Sequence, residues 1–238
     1  MAFLLAIETT GTLCGVALMR DGALLGAVRL AHGMNLSGNL LHGVEWLLQR
    51  HRCCLEQVDA FAVDVGPGAF TGLKIGVMLA KSWAHALGKP LVAATAFEAC
   101  AAEMPAGVPT LVALPARRDA LYLQWLLPTT AGLPQPLSEP TFRTRDALTE
   151  WLTATYPHKN ETTESEEALQ AVGAAHALEW VESALHHLRQ RIIAAPPVEG
   201  VAQMGWLRYQ AGETAHPFTL TPLYIQPPSI HIKGAGKD

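Results

Sequence analysis

A glycine-rich stretch between two apolar segments has the residue types of a phosphate-binding loop. It reads DVGPGAFTGLKIGV over residues 64–77, and its one cation is Lys74. Backbone N–H groups of such a loop at the start of a helix bind anions. The spacing matches neither common nucleotide motif, because Gly68 and Gly72 are four residues apart and Thr71 stands where the dinucleotide fingerprint has glycine. An anion site and a purely structural turn both remain open.

The structural interpretation gives each glycine of this loop a packing role. Gly66 and Gly68 permit a sharp turn from strand to helix, and Thr71 is then expected to cap the helix. Gly72 and Gly76 let another element pack closely against that helix.

The ten histidines do not form a metal-binding pair on a helix. No two of them have the H-x-x-x-H spacing that presents both imidazoles on one helix face. His186 and His187 are adjacent, so on a helix they point about 100° apart. The chain also has neither a G-x-S-x-G elbow nor an H-E-x-x-H motif. We therefore predict no metal ligands and no serine nucleophile.

Composition narrows the class of protein. The 238 residues are 50% apolar, enough for one large domain or two small ones, and a net charge of −4 gives no general attraction to nucleic acid or anionic lipid. The four cysteines lack a CxxC spacing and are expected to be reduced thiols. The first residues lack a basic region, and Glu8 interrupts their apolar run, so we predict no signal peptide, no membrane contact and a cytoplasmic location.

The hydrophobic periodicity predicts the same order of elements twice. The first half reads β-β-β-α-β-α-β-α, with a tight turn at Asp21-Gly22 and a second helix over Leu73–Leu87 that ends at Gly88. From Val108 two more strands and a helix capped by Thr144 follow. A polar loop, a short apolar run, a helix reaching Arg191 and a final helix complete this half. Two units with mixed five-stranded sheets are expected.

Four motifs resemble the TsaB family, also called YeaZ. They are LLAIETT at the start, VGPGAFTGLKIGV, ALGKPLVAATAFEACA and PLYIQPP near the end. The resemblance is specific over residues 1–104 and thin from there to about residue 220. It implies an α/β, actin-like fold of duplicated ribonuclease H-like domains, shared with sugar kinases and heat-shock chaperone ATPases. The expected units are an N-terminal subdomain 1–104, a divergent C-terminal subdomain 105–226 and a flexible tail 227–238.

The resemblance implies a function without chemistry of its own. TsaB-like proteins bind TsaD, an enzyme that transfers a threonylcarbamoyl group to the adenosine beside the anticodon of tRNAs reading ANN codons. A TsaE-like ATPase joins through the complex, the protein pairs with itself when alone, and tRNA is contacted only indirectly. No cofactor is expected beyond weak nucleotide binding. The alternatives are a small actin-like ATPase or kinase, and a degenerate glycoprotease-like metallopeptidase.

The resemblance also assigns positions. Actin-like ATPases keep an acidic residue and a phosphate-facing turn at the end of the first strand, so a vestigial nucleotide site would comprise Glu8, Thr9, Thr10, Gly66, Gly68 and Thr71. Two residues depart from the family pattern: Leu36 replaces a histidine, and Pro115 replaces an aspartate before Arg117 and Arg118. Both departures remove polar groups. The two arginines are either solvated or in contact with a partner.

The partner surface is expected on the first two helices. One carries an apolar stripe and the other has small residues every four positions, which would let a partner helix approach closely. The alternative is that both faces cover the protein's own sheet. The expected interface residues are Leu40, Leu41, Val44, Leu47, Leu48, Gly72, Gly76, Val77, Ala80 and Ala84.

Overall fold

Two hairpins form the first three strands of the first sheet, because turn residues separate three apolar segments. In the computed structural model these strands are Phe3–Glu8 (β1), Leu13–Arg20 (β2) and Ala23–Ala31 (β3), paired antiparallel. Asp21 and Gly22 join the last two with φ angles of 49° and 82°. Positive φ at both central residues is the requirement of a type I′ two-residue hairpin turn, which the Asp-Gly pair predicted.

Helical crossovers then add two parallel strands to β1. The strand order is β3-β2-β1-β4-β5. The added elements are Leu36–Arg50 (α1), Ala60–Asp64 (β4), Phe70–Leu87 (α2), Leu91–Ala94 (β5) and Ala96–Ala101 (α3). Gly88 ends α2 in the left-handed conformation, with a φ of 63°, as predicted.

The second sheet repeats this topology. Its order is β11-β10-β6-β7-β8, and a further short strand, β9, also pairs with β7. The strands are Thr110–Pro115 (β6), Ala120–Leu127 (β7), Gln135–Pro136 (β8), Thr141–Thr144 (β9), Gln170–Gly173 (β10) and Arg189–Ile192 (β11). The helices are Arg145–Thr155 (α4), Ala175–Ala184 (α5) and Val198–Gln210 (α6). The predicted duplication is confirmed, but within the described part of the chain the second sheet has six strands where five were expected, because both β8 and β9 pair with β7.

The structure describes residues 1–31, 33, 35–117, 119–157, 169–185 and 188–226. Three expectations lie outside these residues: the flexible tail 227–238, the polar loop after Pro157 and the placement of Arg118. Two predicted boundaries were wrong. Helix α2 begins at Phe70, three residues before Leu73, and residues 189–192 form a parallel edge strand beside β10 where a continuing helix was expected. Pairing with β10 overrides the local helical pattern there.

Side chains of the first sheet alternate between two apolar layers. Leu5 and Ile7 point to the layer covered by α1 and α2, and Leu4 and Ala6 point to the layer covered by α6. Strand β4 alternates in the same way. Both faces of this sheet are therefore buried, which explains the nearly continuous apolar runs of β1 and β4.

The third helix of each half packs against the other half's sheet. Helix α6 follows the second sheet along the chain but covers the first one, where Val201 and Met204 are buried. Helix α3 follows the first sheet but places Phe97 and Cys100 against β6, β7 and β10 of the second. A division at residue 104 therefore separates the strands of the two sheets but assigns α3 and α6 each to the half whose sheet it does not cover.

The segment after α6 returns to the first sheet. Leu223 N–H donates to the Val65 carbonyl at 2.7 Å, and Lys81 Nζ donates to the Leu220 carbonyl at 2.8 Å. Residues 222–226 of the PLYIQPP motif thus lie beside the glycine-rich loop and helix α2. Among the helices of the described ranges, none is long and apolar enough to cross a membrane.

Gly205 tests the contact between α6 and the first sheet. A Cβ at this position would lie 2.4 Å from the Cβ of Ala62. Gly205→Ala should lower the free energy of unfolding by about 1–2 kcal/mol, since overpacking outweighs the better helix propensity of alanine. Urea unfolding measures the loss. The matched control is Gln203→Ala on the exposed side of α6, expected within about 0.5 kcal/mol of wild type; equal stability of both variants would contradict the packing.

Candidate functional site

Two carboxyl groups meet at one edge of the first sheet. Strands β1 and β4 are parallel neighbours with Ile7 opposite Val63, so their last residues, Glu8 and Asp64, lie side by side. Ligands of open α/β sheets bind at this carboxyl edge. Both side chains are buried. Asp64 was not among the expected site residues, although an acidic residue directly before the glycine-rich loop was a usable signal.

Thr10 closes this edge above the two carboxyl groups. Its Oγ1 lies 2.6 Å from Glu8 Oε1 and 3.0 Å from Asp64 Oδ2. Glu8 Oε1 also accepts the backbone N–H groups of Thr10 and Gly11. The short turn after β1 is therefore bonded back onto the carboxyl groups that it covers.

The glycine-rich loop packs against this turn from the other side. Gly66 N–H donates to Asp64 Oδ1 at 2.7 Å, and Ala69 N–H donates to the Thr10 carbonyl at 2.8 Å. A Cβ on Gly68 would lie 2.4 Å from the Cβ of Thr10. Two of the loop's N–H groups are thus engaged by the protein itself. The contacts support the structural interpretation of these glycines over the anion site.

Helix α2 approaches the same turn through its small residues. Thr9 Oγ1 donates to the Gly72 carbonyl at 2.8 Å, and a Cβ on Gly76 would lie 2.2 Å from Thr9 Oγ1. Thr71 is exposed on this helix and does not cap it, because the helix begins one residue earlier, with Ala69 at the N-cap. The predicted role of Thr71 was wrong.

Burial dominates the electrostatics of this edge. It raises the pKa of Glu8 to about 7, although bonds from Thr10 and Gly11 lower it. Burial, with the nearby charge of Glu8, also raises the pKa of Asp64 well above its usual range. Groups of three or more side chains able to hold a metal are absent from the described residues. Covered carboxyl groups of this kind hold protons more readily than they hold a cation or activate a water.

A cleft of about 360 Å³ lies in front of the closed edge, between the two sheets. Its described lining has no charged side chain and consists mainly of alanine, proline, leucine and glycine, with Thr10, Thr12 and Tyr122 as the polar side chains. Binding of a magnesium–phosphate group would need carboxylates and cations at this point. The lining therefore gives no support to an ATPase.

Leu36 and Pro115, the two residues that depart from the family pattern, lie at the ends of regular elements. Leu36 starts α1 and is buried in the first core, where a histidine would need a hydrogen-bond partner. Pro115 ends β6 at the rim of the cleft. Arg117 lies over the ring of Phe142, with 5.1 Å between the guanidinium carbon and the ring centroid.

Nearly all of the expected interface residues face the protein's own core. Leu41 is exposed, whereas the other nine are buried: Leu40, Val44, Leu47, Leu48, Gly72, Gly76, Val77, Ala80 and Ala84. The reason is that one apolar stripe suffices to cover the sheet, and α1 and α2 use theirs for that purpose. This choice of contact residues is corrected, while a partner surface on these two helices stays a prediction.

Other apolar side chains occupy the outward side of the two helices. Trp46 on α1 is 58% exposed and Met78 on α2 is 57% exposed, with Leu41 and Phe70 also accessible. Trp46 lay off the apolar stripe in the sequence, which was the signal for its exposure.

Comparison with known proteins identifies the family. Residues 33–233 match the family model described as TsaD, tRNA N6-adenosine threonylcarbamoyltransferase. The chain belongs to this family. TsaB of Bacillus subtilis is 32% identical over 99 residues, which cover 42% of this chain and 43% of that protein. TsaB of Haemophilus influenzae is 30% identical over 122 residues, covering 50% and 51%. The TsaB assignment is confirmed, and the chain spans about half the length of these relatives.

Solved structures agree on the fold. YeaZ from Pseudomonas aeruginosa has a TM-score of 0.76 at 23% identity, covering 94% of this chain and all of that one. A second structure from the same organism, described as similar to the peptidase YeaZ, has the same TM-score at 24% identity over 95% of this chain. The predicted α/β fold with two duplicated mixed sheets is confirmed.

Substitution of Gly68 tests whether the turn after β1 packs against the glycine-rich loop. Gly68→Ala places a Cβ within 2.5 Å of the Thr10 carbonyl oxygen, so the turn or the loop must move. We expect the free energy of unfolding to fall by about 1–3 kcal/mol in urea denaturation. The control is Gly33→Ala, whose Cβ would have no neighbour nearer than 3.9 Å. A Gly68 variant as stable as this control would show that the turn does not pack as described.

Proposed function

We propose that this TsaB-type chain is an accessory subunit without catalytic activity. It binds the TsaD-type threonylcarbamoyltransferase and is required for threonylcarbamoyl modification of the adenosine beside the anticodon of ANN-reading tRNAs. The names of its relatives, biosynthesis proteins of tRNA threonylcarbamoyladenosine, support this reaction. The proposed subunit works in the cytoplasm, needs no cofactor and contacts tRNA only through its partner.

The closed carboxyl edge is the observation that carries the proposal. An enzyme of this fold class needs acidic groups that reach a substrate or its metal, and here Glu8 and Asp64 lie beneath Thr10 and the glycine-rich loop. The histidine pair of a metallopeptidase is also missing from the sequence. With Glu8 and Asp64 both buried at this edge, the protein is expected to act through its surface.

The proposed partner surface is the outer face of α1 and α2, defined by Leu41, Trp46, Phe70 and Met78. Both helices cover the same side of the first sheet, and each has exposed apolar side chains outside its buried stripe. Tryptophan, phenylalanine and methionine are enriched in protein interfaces, and their exposure on one layer is typical of a binding surface. In the absence of TsaD the same face pairs two copies of this chain, and a TsaE-like ATPase joins through the complex.

Met78 is the position that tests this surface. Met78→Glu should abolish co-purification with the TsaD-type enzyme, because a carboxylate on the outer face cannot be desolvated without a partner. The variant should keep wild-type stability, since Met78 is 57% exposed. Ala80 is unsuitable for this purpose because it is fully buried, and glutamate there would disrupt the core. Affinity capture of the enzyme followed by mass spectrometry measures the loss.

The matched control is Leu137→Glu. Leu137 is an exposed apolar residue, 44% accessible, beside the second sheet and away from both helices. It should leave capture of the enzyme unchanged. Capture retained by Met78→Glu, or lost equally in both variants, would contradict the assignment of the outer face.

A further inference from the structure

The contacts at the closed edge require one more hydrogen than the ionised side chains provide. Thr10 Oγ1 lies within hydrogen-bond distance of an oxygen of Glu8 and an oxygen of Asp64, at 2.6 and 3.0 Å. A hydroxyl group donates one hydrogen, and two carboxylates can only accept. If both groups were ionised, one of these contacts would hold two acceptors without a proton between them.

The remaining contacts show where the extra proton belongs. Glu8 Oε1 accepts three hydrogen bonds, from Thr10 N–H, Thr10 Oγ1 and Gly11 N–H, which is the environment of an anion. The hydroxyl hydrogen of Thr10 therefore points to Glu8. Thr10 Oγ1 then has only lone pairs for Asp64, so Asp64 Oδ2 must carry a proton and donate it. Asp64 Oδ1 still accepts from Gly66 N–H.

We propose that protonated Asp64 is a latch that holds the turn after β1 against the loop before α2 and releases it when the proton is lost. With this proton in place, the hydrogen bonds run in one direction: Asp64 donates to Thr10, and Thr10 donates to Glu8. Loss of the proton leaves the Thr10 hydroxyl with two acceptors and one hydrogen. It also places a second negative charge beside Glu8, where both side chains are buried.

The charged groups around Glu8 and Asp64 either favour an ionised Glu8 beside a protonated Asp64 or are already paired with another side chain. Arg29 on β3 favours the ionised form of Glu8, and its guanidinium is paired with Glu199 of α6. Glu98 on α3 opposes ionisation of Asp64, and its own carboxylate is held by Arg208. Arg191 and Glu103 line the same cavity as Glu8 and pair with each other. The thiols of Cys14 on β2 and Cys100 on α3 are further titratable neighbours. Burial raises the pKa of each thiol, so both stay neutral.

The sign of the effect follows from the raised pKa of Asp64. A carboxyl group whose pKa is higher in the closed state than in the open one stabilises the closed state at low pH. That stabilisation is lost as the pH rises through the pKa of the closed state. Alkaline pH should therefore loosen the turn from the loop, which also frees the Ala69 N–H and the start of α2. The inference does not depend on the proposed partner.

Carboxyl-carbon NMR of the wild-type protein tests the location of the proton. With ¹³C-labelled aspartate and glutamate, the Asp64 carboxyl should keep the chemical shift of the protonated form through neutral pH, while exposed carboxylates titrate near about pH 4. No variant is needed. Ionisation of both Asp64 and Glu8 below about pH 5, or a protonated Glu8 beside an ionised Asp64, would overturn the assignment.

Hydrogen exchange of the Gly66 amide tests the latch. After correction for the intrinsic rate, opening in the wild type should increase by up to about tenfold per pH unit until Asp64 is ionised. In Asp64→Asn the amide donates to Thr10 in place of the proton, so the pH dependence that Asp64 contributes should disappear and only that of Glu8, whose pKa burial raises to about 7, should remain. Exposed Glu139→Gln is the control and should behave as wild type. Equal pH dependence in Asp64→Asn and wild type would overturn the latch.

Discussion

The close approach of the turn after β1 to the start of α2 is the contact on which the rest of the structure depends. Thr9 reaches the Gly72 carbonyl because Gly76 leaves room for its hydroxyl, and Thr10 lies against Gly68 for the same reason. Any larger side chain at Gly68 or Gly76 would separate the two segments. Through this contact the glycine-rich loop sets the position of α2 on the sheet, and with it the direction of the outer face. The same contact covers Glu8 and Asp64.

The glycine-rich loop, whose residue types suit anion binding, is engaged in packing within the protein. The residues that could have bound an anion hold the protein together, and the cleft in front of them is lined mainly by apolar groups. The exchange of α3 and α6 between the two sheets ties the halves together through two apolar clusters. The proposed partner surface would be fixed in position, because the helices that carry it are attached to buried strands and to the C-terminal segment.

The sequence predicted the order of elements and the topology well, for reasons visible in particular residues. The predictions of a turn at Asp21-Gly22 and of the end of α2 at Gly88 were correct because only a few residue types accept positive φ. The sequence could not show which sheet α3 and α6 cover, since an apolar stripe predicts that a helix face is buried but not which surface it packs against. The contact residues on α1 and α2 were misassigned for the same reason, because Leu40 and Ala80 read equally well as core or interface. Asp64 was overlooked because its neighbour Glu8 is distant along the chain.

The central claim is that this chain contributes to the tRNA modification without carrying out chemistry itself. Its most direct test is reconstitution with the TsaD-type and TsaE-type proteins, unmodified tRNA and the threonylcarbamoyl donor, followed by mass spectrometry of the tRNA nucleosides. The account predicts threonylcarbamoyladenosine when all proteins are present, none when this chain is omitted and none when it is supplied alone. Modified nucleoside formed by this chain alone, or in full yield without it, would contradict the account.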